Sequence, residues 1–376
     1  MAGLYLHIPF CKKRCNYCAF YSTTLHSLRD EYIDMLCGEM TMRNTYIKGE
    51  TIETIYLGGG TPSLLTAEQI EKIFTAIHKN FSVSTTPEIT IECNPDDLTP
   101  SYLAMLRRGG FNRISMGVQS LSDTQLERLG RRHTAQSAKE AVANARKAGF
   151  GNISIDLMFA LPSSTLQEWQ QSLKEAIALA PEHISAYNLT YEEGTPLYYA
   201  LQSGKITELS EEDNVQQFNT LIEELKKAGY RHYEISNFAR PGYESRHNSS
   251  YWNDTPYIGL GAGAHSYDGT SRGWNPSDIN KYIKGIKEGT PCFEVEELTS
   301  EERYNDAMLT RLRTADGLPA EWVKEKFGTT LYNYMMKAVH KEITAGNLRE
   351  TADGRFSLTE KGIFVSDAVI REFIYV

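Results

Sequence analysis

An α/β fold is predicted: a partial (β/α) barrel of the TIM type followed by a small winged-helix-like α+β domain. Three observations predict it. Short apolar runs alternate with amphipathic stretches through the first two-thirds of the chain, the ends of those stretches carry helix punctuation, and the pattern changes near Leu298. Repeated strand–helix units imply parallel strands joined by right-handed crossovers. Six such units suit a barrel or part of one, with ligands at the C-terminal ends of the strands. A doubly wound open sheet shares this periodicity, which alone does not separate the two.

The apolar runs read as buried strands at Leu4–Ile8, Ile52–Leu57, Glu88–Glu92, Arg113–Val118, Ile153–Leu157 and His183–Asn188. Helical stretches lie between them at Leu28–Met42, Ala67–Asn80, Ser101–Arg108, Thr134–Ala148 and Leu166–Leu179. Their apolar residues recur at steps of three and four, as Ile70, Ile73, Phe74 and Ile77 do. Thr66 is placed to cap one helix at its start and Gly149 to close another. Glu211–Ala228 reads as a further helix and Tyr230–Ser236 as a strand. The Gly-, Asn- and aromatic-rich stretch Asn237–Asn275 reads as functional surface loop. Beyond Leu298, helices are expected at Glu301–Arg313, Pro319–Phe327 and Leu331–Ala345, then a hairpin at Leu348–Leu358 and a last helix at Glu360–Phe373. The expected division is 1–235 for the core, 236–297 for a connecting region and 298–376 for the C-terminal domain.

The chain of 376 residues is 41% hydrophobic and carries a net charge of −9. That acidity argues against a protein whose work is to coat nucleic acid. Winged-helix modules often bind DNA, but residues 299–376 hold 11 Lys and Arg against 12 Asp and Glu, and no helix there has a dense basic stripe. No nucleic-acid partner is expected. No run reaches the ~18 apolar residues of a membrane span, and the first ten residues lack the cationic start and apolar core of a secretory leader. A cytoplasmic protein is expected. Membrane association would run through a partner, and a homodimer is compatible with the sequence.

Three of the six cysteines fall within eight residues, in Cys11-Lys-Lys-Arg-Cys15-Asn-Tyr-Cys18, directly after the first strand. Clustered thiols in a long cytosolic chain point to metal ligation rather than disulfides. Cysteine thiolates hold four-iron clusters, and three of them leave one iron an open position. That position can take the amino and carboxylate groups of S-adenosylmethionine (SAM), whose sulfonium is then cleaved by an electron from the cluster. Lys12, Lys13 and Arg14 favour thiolates and an anionic cluster. The competing reading is structural zinc with His7 or His26 as fourth ligand. Gly58-Gly59-Gly60-Thr61-Pro62 follows the second strand and would let backbone N–H groups approach a ligand closely, or form a plain tight turn.

Tyr5-Leu-His7-Ile-Pro-Phe-Cys11, the C-x3-C-x2-C spacing, Gly58–Pro62, Ser115-Met-Gly-Val-Gln119-Ser and Ile155-Asp156-Leu-Met together resemble the oxygen-independent coproporphyrinogen oxidase family of radical SAM proteins. The resemblance covers nearly the whole chain, including the C-terminal module. It implies a [4Fe-4S] cluster on Cys11, Cys15 and Cys18. It also implies a SAM site lined by Tyr5, Gly59, Gly60, Thr61, Glu92, Gln119, Arg131 and Asp156, with His7 and Tyr17 close by. Taken singly, each of these has a plainer role as a helix cap or loop hydrogen bond, and Arg131 as a solvated charge.

Two departures matter. The oxidases carry a fourth cysteine where this chain has Phe20, and they have a longer arm before the first cysteine. Both departures match a sister branch of heme chaperones, which implies heme and acceptor hemoproteins as partners and no coproporphyrinogen oxidase activity. His247-Asn248-Ser-Ser-Tyr251-Trp252 matches the HNxxYW motif associated with heme in that branch. A neutral imidazole can ligate heme iron, and the rings of Tyr251 and Trp252 offer flat faces. His247 is thus the expected axial ligand, with Asn248, Tyr251 and Trp252 beside the porphyrin. His265, in Gly259-Leu-Gly-Ala-Gly-Ala-His265, is the alternative. The rival functions are the oxidase itself and a radical SAM enzyme acting on another substrate.

Overall fold

The period-2 alternation of the strands sets the architecture. In Ala2–Ile8 (β1), Leu4, Leu6 and Ile8 are fully buried toward the helices, while Gly3, Tyr5 and His7 point the other way. The computed structural model describes residues 1–376. After β1 come Arg29–Met42 (α1), Ile52–Gly59 (β2), Ala67–Asn80 (α2), Val83–Cys93 (β3), Pro100–Arg108 (α3), Arg113–Gln119 (β4), Asp123–Arg128 (α4), Ala135–Lys147 (α5), Ile153–Phe159 (β5), Leu166–Ala178 (α6) and His183–Asn188 (β6). Strands β1 to β6 pair in sequence order and all in parallel. A doubly wound sheet reverses its strand order at a switch point; this one does not, and the partial (β/α) barrel is the fold.

Local chemistry fixes the helices. Thr66 caps α2 in a reciprocal capping box with Gln69, and Ile70, Ile73 and Ile77 form its buried stripe. Thr134 and Thr165 cap α5 and α6 in the same way.

The chain continues with Pro196–Gln202 (α7), Glu211–Lys227 (α8), Arg231–Glu234 (β7), Asn237–Ala239 (β8), Arg246–Trp252 (α9), Tyr257–Leu260 (β9), His265–Tyr267 (β10), Ser271–Trp274 (β11), Ile279–Lys287 (α10) and Glu294–Glu297 (β12). Asn237–Asn275 is therefore not the expected loop. It returns a strand to each side of the barrel: β8 pairs with β6, and β9 pairs in parallel with β1, extending the sheet to twelve strands. Its elements are three to seven residues long, too short for a periodic pattern to show.

A fully buried carboxylate ties this extension to the barrel. Glu39 of α1 accepts from Arg43 Nη1 (2.7 Å), Gly261 N (2.8 Å), Asn275 Nδ2 (2.7 Å) and Tyr282 OH (2.7 Å).

Ser300–Arg311 (α11), Leu318–Pro319 (β13), Ala320–Thr344 (α12), Leu348–Glu350 (β14), Arg355–Leu358 (β15), Glu360–Phe364 (α13) and Ser366–Arg371 (α14) complete the chain. Three of these strands form a separate small sheet, and a second apolar core gathers around Tyr304, Met308, Val323, Met335, Phe356 and Phe373. The two helices expected across 319–345 run as one, kinked at Gly328 (φ 83°). The single last helix expected from Glu360 is two, with a non-helical turn at Val365.

Candidate functional site: the barrel mouth and its floor

Parallel strands bring their C-terminal ends to one mouth, and the cysteine loop leaves β1 there. Cys11, Cys15 and Cys18 are free, half-buried thiols. Donors point at their sulfurs: Thr61 Oγ1 lies 3.4 Å from Cys11 Sγ, and Arg131 Nη1 lies 3.3 Å from Cys15 Sγ. Gly60 makes the close approach possible, since a Cβ there would stand 2.7 Å from the Pro9 carbonyl and 3.0 Å from Cys11 Sγ. Burial pushes the Cys11 and Cys18 thiols above the usual thiol range.

The zinc reading loses one of its two candidate fourth ligands. His7 Nε2 donates to the Tyr21 carbonyl (3.0 Å), so its Nδ1 is the acceptor from Tyr5 OH (3.0 Å) and neither nitrogen is free. Three thiols on one loop, two of them under cationic and hydroxyl donors, fit a four-iron cluster.

Beside them, Glu92 sits on the third strand's last turn of ladder, accepting from Tyr56 OH (2.8 Å) and from Gly59 N (3.1 Å). Burial raises its carboxyl to about 7. Asp156 accepts from Ser115 Oγ (3.4 Å), and burial raises it to about 6. Gln119 ends β4 in the left-handed region (φ 65°) with its amide 3.0 Å from where a Gly117 Cβ would be. Arg131, expected as a solvated charge when read alone, is half-buried and bonded inward. Its Nη2 donates to Asn94 Oδ1 and to the Gly117 carbonyl, both at 2.6 Å, and its Nε is buried without a partner. Tyr17 packs over a small apolar cluster that includes Leu129 and Met158. The structure thus gathers the cysteine loop, Gly59–Thr61, Glu92, Gln119, Arg131 and Asp156 at one end of the barrel.

The HNxxYW residues lie at the other end. Strand pairing puts Gly3 and Thr54 at the barrel floor, about 16 Å along β1 from Ile8, and a Gly3 Cβ would stand 3.3 Å from the His247 ring. The motif forms α9 rather than a loop. Glu88 holds its first turn, accepting from Arg246 N (3.2 Å) and His247 N (3.0 Å). His247 is 1% exposed. Its Nδ1 is 2.8 Å from Thr54 Oγ1 and its Nε2 is 2.9 Å from Tyr251 OH. Its ring stacks on Tyr56 at 5.0 Å, and burial lowers its pKa to about 3. The expectation of an open axial imidazole does not describe this conformation. Trp252 turns toward the C-terminal domain, under the Arg313 guanidinium at 5.4 Å. Asn248 sits half-buried on the same helix, its backbone N donating to Ser245 Oγ (3.3 Å).

A family model described as the radical SAM superfamily matches residues 5–176, and one described as the HemN C-terminal domain matches residues 298–365. The heme chaperone HemW of Bacillus subtilis is 36% identical over 100% of this chain and 99% of its own length. That of Lactococcus lactis is 33% identical over 98% and 96%. The chain belongs to the HemW family. Among solved structures, the coproporphyrinogen III oxidase HemN of Escherichia coli superposes with a TM-score of 0.86 at 24% identity, covering 99% of this chain and 90% of that one, a likeness of fold. As a HemW-family protein the chain is a radical SAM protein whose nearer kinship is with HemW rather than with the oxidase. No helix in it is long and apolar enough to cross a membrane.

The barrel interior of this HemW-family chain is polar from floor to mouth, which the sequence reading of buried apolar strands missed. Arg113 is its central cation, 1% exposed with Nε and Nη1 unpartnered. The signal was present as alternation: Arg113, Ser115, Gly117 and Gln119 on β4, and Glu88, Thr90 and Glu92 on β3, occupy every second position. Asn94, which orients Arg131 and also donates to Thr61 Oγ1 (3.3 Å), was missed as well. It lies one residue past β3 and carries no periodic signal.

Proposed function

We propose that the chain is a cytoplasmic heme chaperone. It binds heme and passes it to acceptor hemoproteins, holding a [4Fe-4S] cluster on Cys11, Cys15 and Cys18 and SAM beside it. The observation that carries the reading is the near full-length relation to HemW proteins at 33% and 36% identity. Phe20 supports it, because the residue at the oxidase's fourth cysteine is an exposed aromatic.

When bound, the cluster and SAM supply one-electron chemistry at a sulfonium. The chain's own residues prepare the place. Arg131 and Thr61 offer N–H and O–H donors to the cysteine sulfurs. Gly59 and Gly60 keep the second-strand backbone close to the loop. Glu92 and Asp156 would offer carboxylate acceptors to the SAM ammonium and hydroxyl groups. Burial raises both carboxyls toward neutrality, and a cationic partner would favour their ionised forms.

The test is an anaerobic titration of heme into the purified protein with its cluster reconstituted, followed by incubation with an apo-hemoprotein. Heme is expected to bind and to appear in the acceptor faster than from free solution. Transfer no faster than from free heme would refute the chaperone reading. Anaerobic incubation with coproporphyrinogen is expected to give no protoporphyrinogen, and its formation at enzymatic rates would establish the oxidase instead.

A further inference from the structure

The sequence holds nine histidines, and the structure leaves few of them able to meet a ligand. His7, His183 and His247 have both ring nitrogens hydrogen-bonded. His133 and His232 each have Nε2 against a carbonyl. His78 and His340 lie on the outer surfaces of α2 and α12. His26 packs on Phe10, a ring that is itself fully buried. His265, like His26, His78 and His340, is exposed and makes no side-chain hydrogen bond. It differs in lying on a strand, directly across from Trp274 of β11, ring centroids 6.2 Å apart at 31°.

Register shows which face it occupies. Gly3 pairs with Tyr257, Tyr257 with Tyr267, Tyr267 with Arg272, and His265 with Trp274. Paired residues point to one side of a sheet, and Gly3, Tyr5 and His7 mark that side as the barrel interior. The opposite side is closed: Ser266 is held by Arg43 of α1 (2.8 Å), and Phe293 covers Gly273. Past β1 the interior side is not closed, and His265, Tyr267, Arg272 and Trp274 are open or half-open along it. Gly259 permits this, because a Cβ there would fall 1.9 Å from the His265 carbonyl oxygen.

We propose that this open face of β10 and β11 holds heme, with His265 as axial imidazole, Trp274 as the flat contact and Arg272 as the partner of a propionate. The inference rests on the heme-chaperone reading. Each part answers a part of the ligand. Burial and the neighbouring Arg272 lower the His265 pKa, so the imidazole is neutral and its lone pair is available to iron. A guanidinium fork matches a carboxylate in two hydrogen bonds. Arg272 now pairs through Nη2 with Asp306 of α11, an ion pair that a propionate would replace. Glu294 and Glu296 on β12 pair with Trp274 and Arg272 and set the anionic limit of the face, leaving Arg272 as its cation.

The HNxxYW helix supports the face from beneath. Tyr251 packs edge-on to Tyr257 at 4.7 Å, and Tyr257 meets Tyr267 at 6.5 Å. The motif then matters to heme by shaping this surface, not by touching iron.

The test compares the full-length protein with His265→Gly, His247→Ala and Arg272→Gln in anaerobic hemin titrations, followed by Soret absorption, with circular dichroism to report the folded fraction. His265→Gly is expected to lose the imidazole-ligated band and about tenfold in affinity, and added free imidazole is expected to restore the band. His247→Ala is expected to keep the band in proportion to its folded fraction. Arg272→Gln is expected to weaken hemin but not hemin dimethyl ester. A wild-type spectrum in His265→Gly, or failure of imidazole to restore it, overturns the assignment while leaving heme binding intact. Absence of heme binding by the unmodified protein overturns the chaperone reading itself.

Discussion

His247→Ala is the perturbation that separates a structural imidazole from a simple exposed ligand. Removing the ring leaves Thr54 Oγ1 and Tyr251 OH without their 2.8 Å and 2.9 Å partners, at about 1–3 kcal/mol for each unsatisfied group. It also opens a cavity between Tyr5, Tyr56 and Tyr251, for which large-to-small changes cost roughly 2–5 kcal/mol. Because the floor can partly collapse and the hydroxyls can find new partners, a net loss on the order of 3–5 kcal/mol is expected. The pH dependence supplies a second readout. Burial, then the Arg113 charge, holds the folded-state pKa at about 3, against an ordinary histidine value of about 6.5. Below the ordinary value the unfolded chain binds a proton that the folded one refuses, so stability falls as pH falls from 6.5 toward 3. The slope is about 1.4 kcal/mol per pH unit for this one group. His7 and His183 are shifted the same way but remain in both proteins, so the difference between wild type and variant isolates His247. Urea unfolding at about pH 7 and about pH 5.5 should show the variant less stable at both, and its loss on acidification smaller by about 1.4 kcal/mol. Equal stability to within about 0.5 kcal/mol together with an unchanged pH slope would refute the account of His247 as part of the barrel floor.

Three further changes probe other parts of the molecule. Arg131→Leu withdraws the donor from Cys15 Sγ and leaves Asn94 Oδ1 and the Gly117 carbonyl unpaired; iron and sulfide content after anaerobic reconstitution should fall well below wild type, and Arg131→Lys should recover part of it. Gly60→Ala drives a methyl to within 2.7 Å of the Pro9 carbonyl and displaces Cys11; cluster content should drop while circular dichroism stays unchanged. Glu39→Ala strands Arg43 in a buried site and frees the Gly261 turn, so urea unfolding should report a loss of about 3–5 kcal/mol.

The barrel was legible because its helices announce themselves. Thr66 with Gln69 and Thr165 with Glu168 are capping boxes that fix a helix start from four residues, and α2 and β6 begin and end where the periodicity put them. The cysteine loop was legible because its ligands are contiguous. Tertiary closeness was not. Nothing in the sequence around Asn94 says that it will meet an arginine 37 positions on. The motif at His247 names residues but not their end of the barrel, and that end is set by Glu88 and Thr54, whose own roles emerge only from register. The stretch 237–275 failed as a loop for the same reason: its strands are held by partners far away in sequence, not by their own pattern.

One strand relates the two ends. Gly3, Tyr5 and His7 are successive inward residues of β1 and together span the barrel from floor to mouth. Gly3 is small because His247 needs the space. Tyr5 stacks on His247 at 6.4 Å and gives its hydroxyl hydrogen to His7. His7 in turn binds the carbonyl of Tyr21, three residues past the last cysteine. A shift of α9 at the floor therefore has a continuous packed route to the cysteine loop, and α9 also touches the open face through Tyr251 and Tyr257. Spatial continuity does not by itself amount to coupling. Strands β2 and β3 also reach from the floor, through Thr54, Tyr56 and Glu88, to the mouth, through Gly59 and Glu92; what sets β1 apart is that it also pairs with β9. If the state of the cluster affects heme held on β10 and β11, β1 is the strand that joins the cysteine loop to the sheet edge on which that face is built.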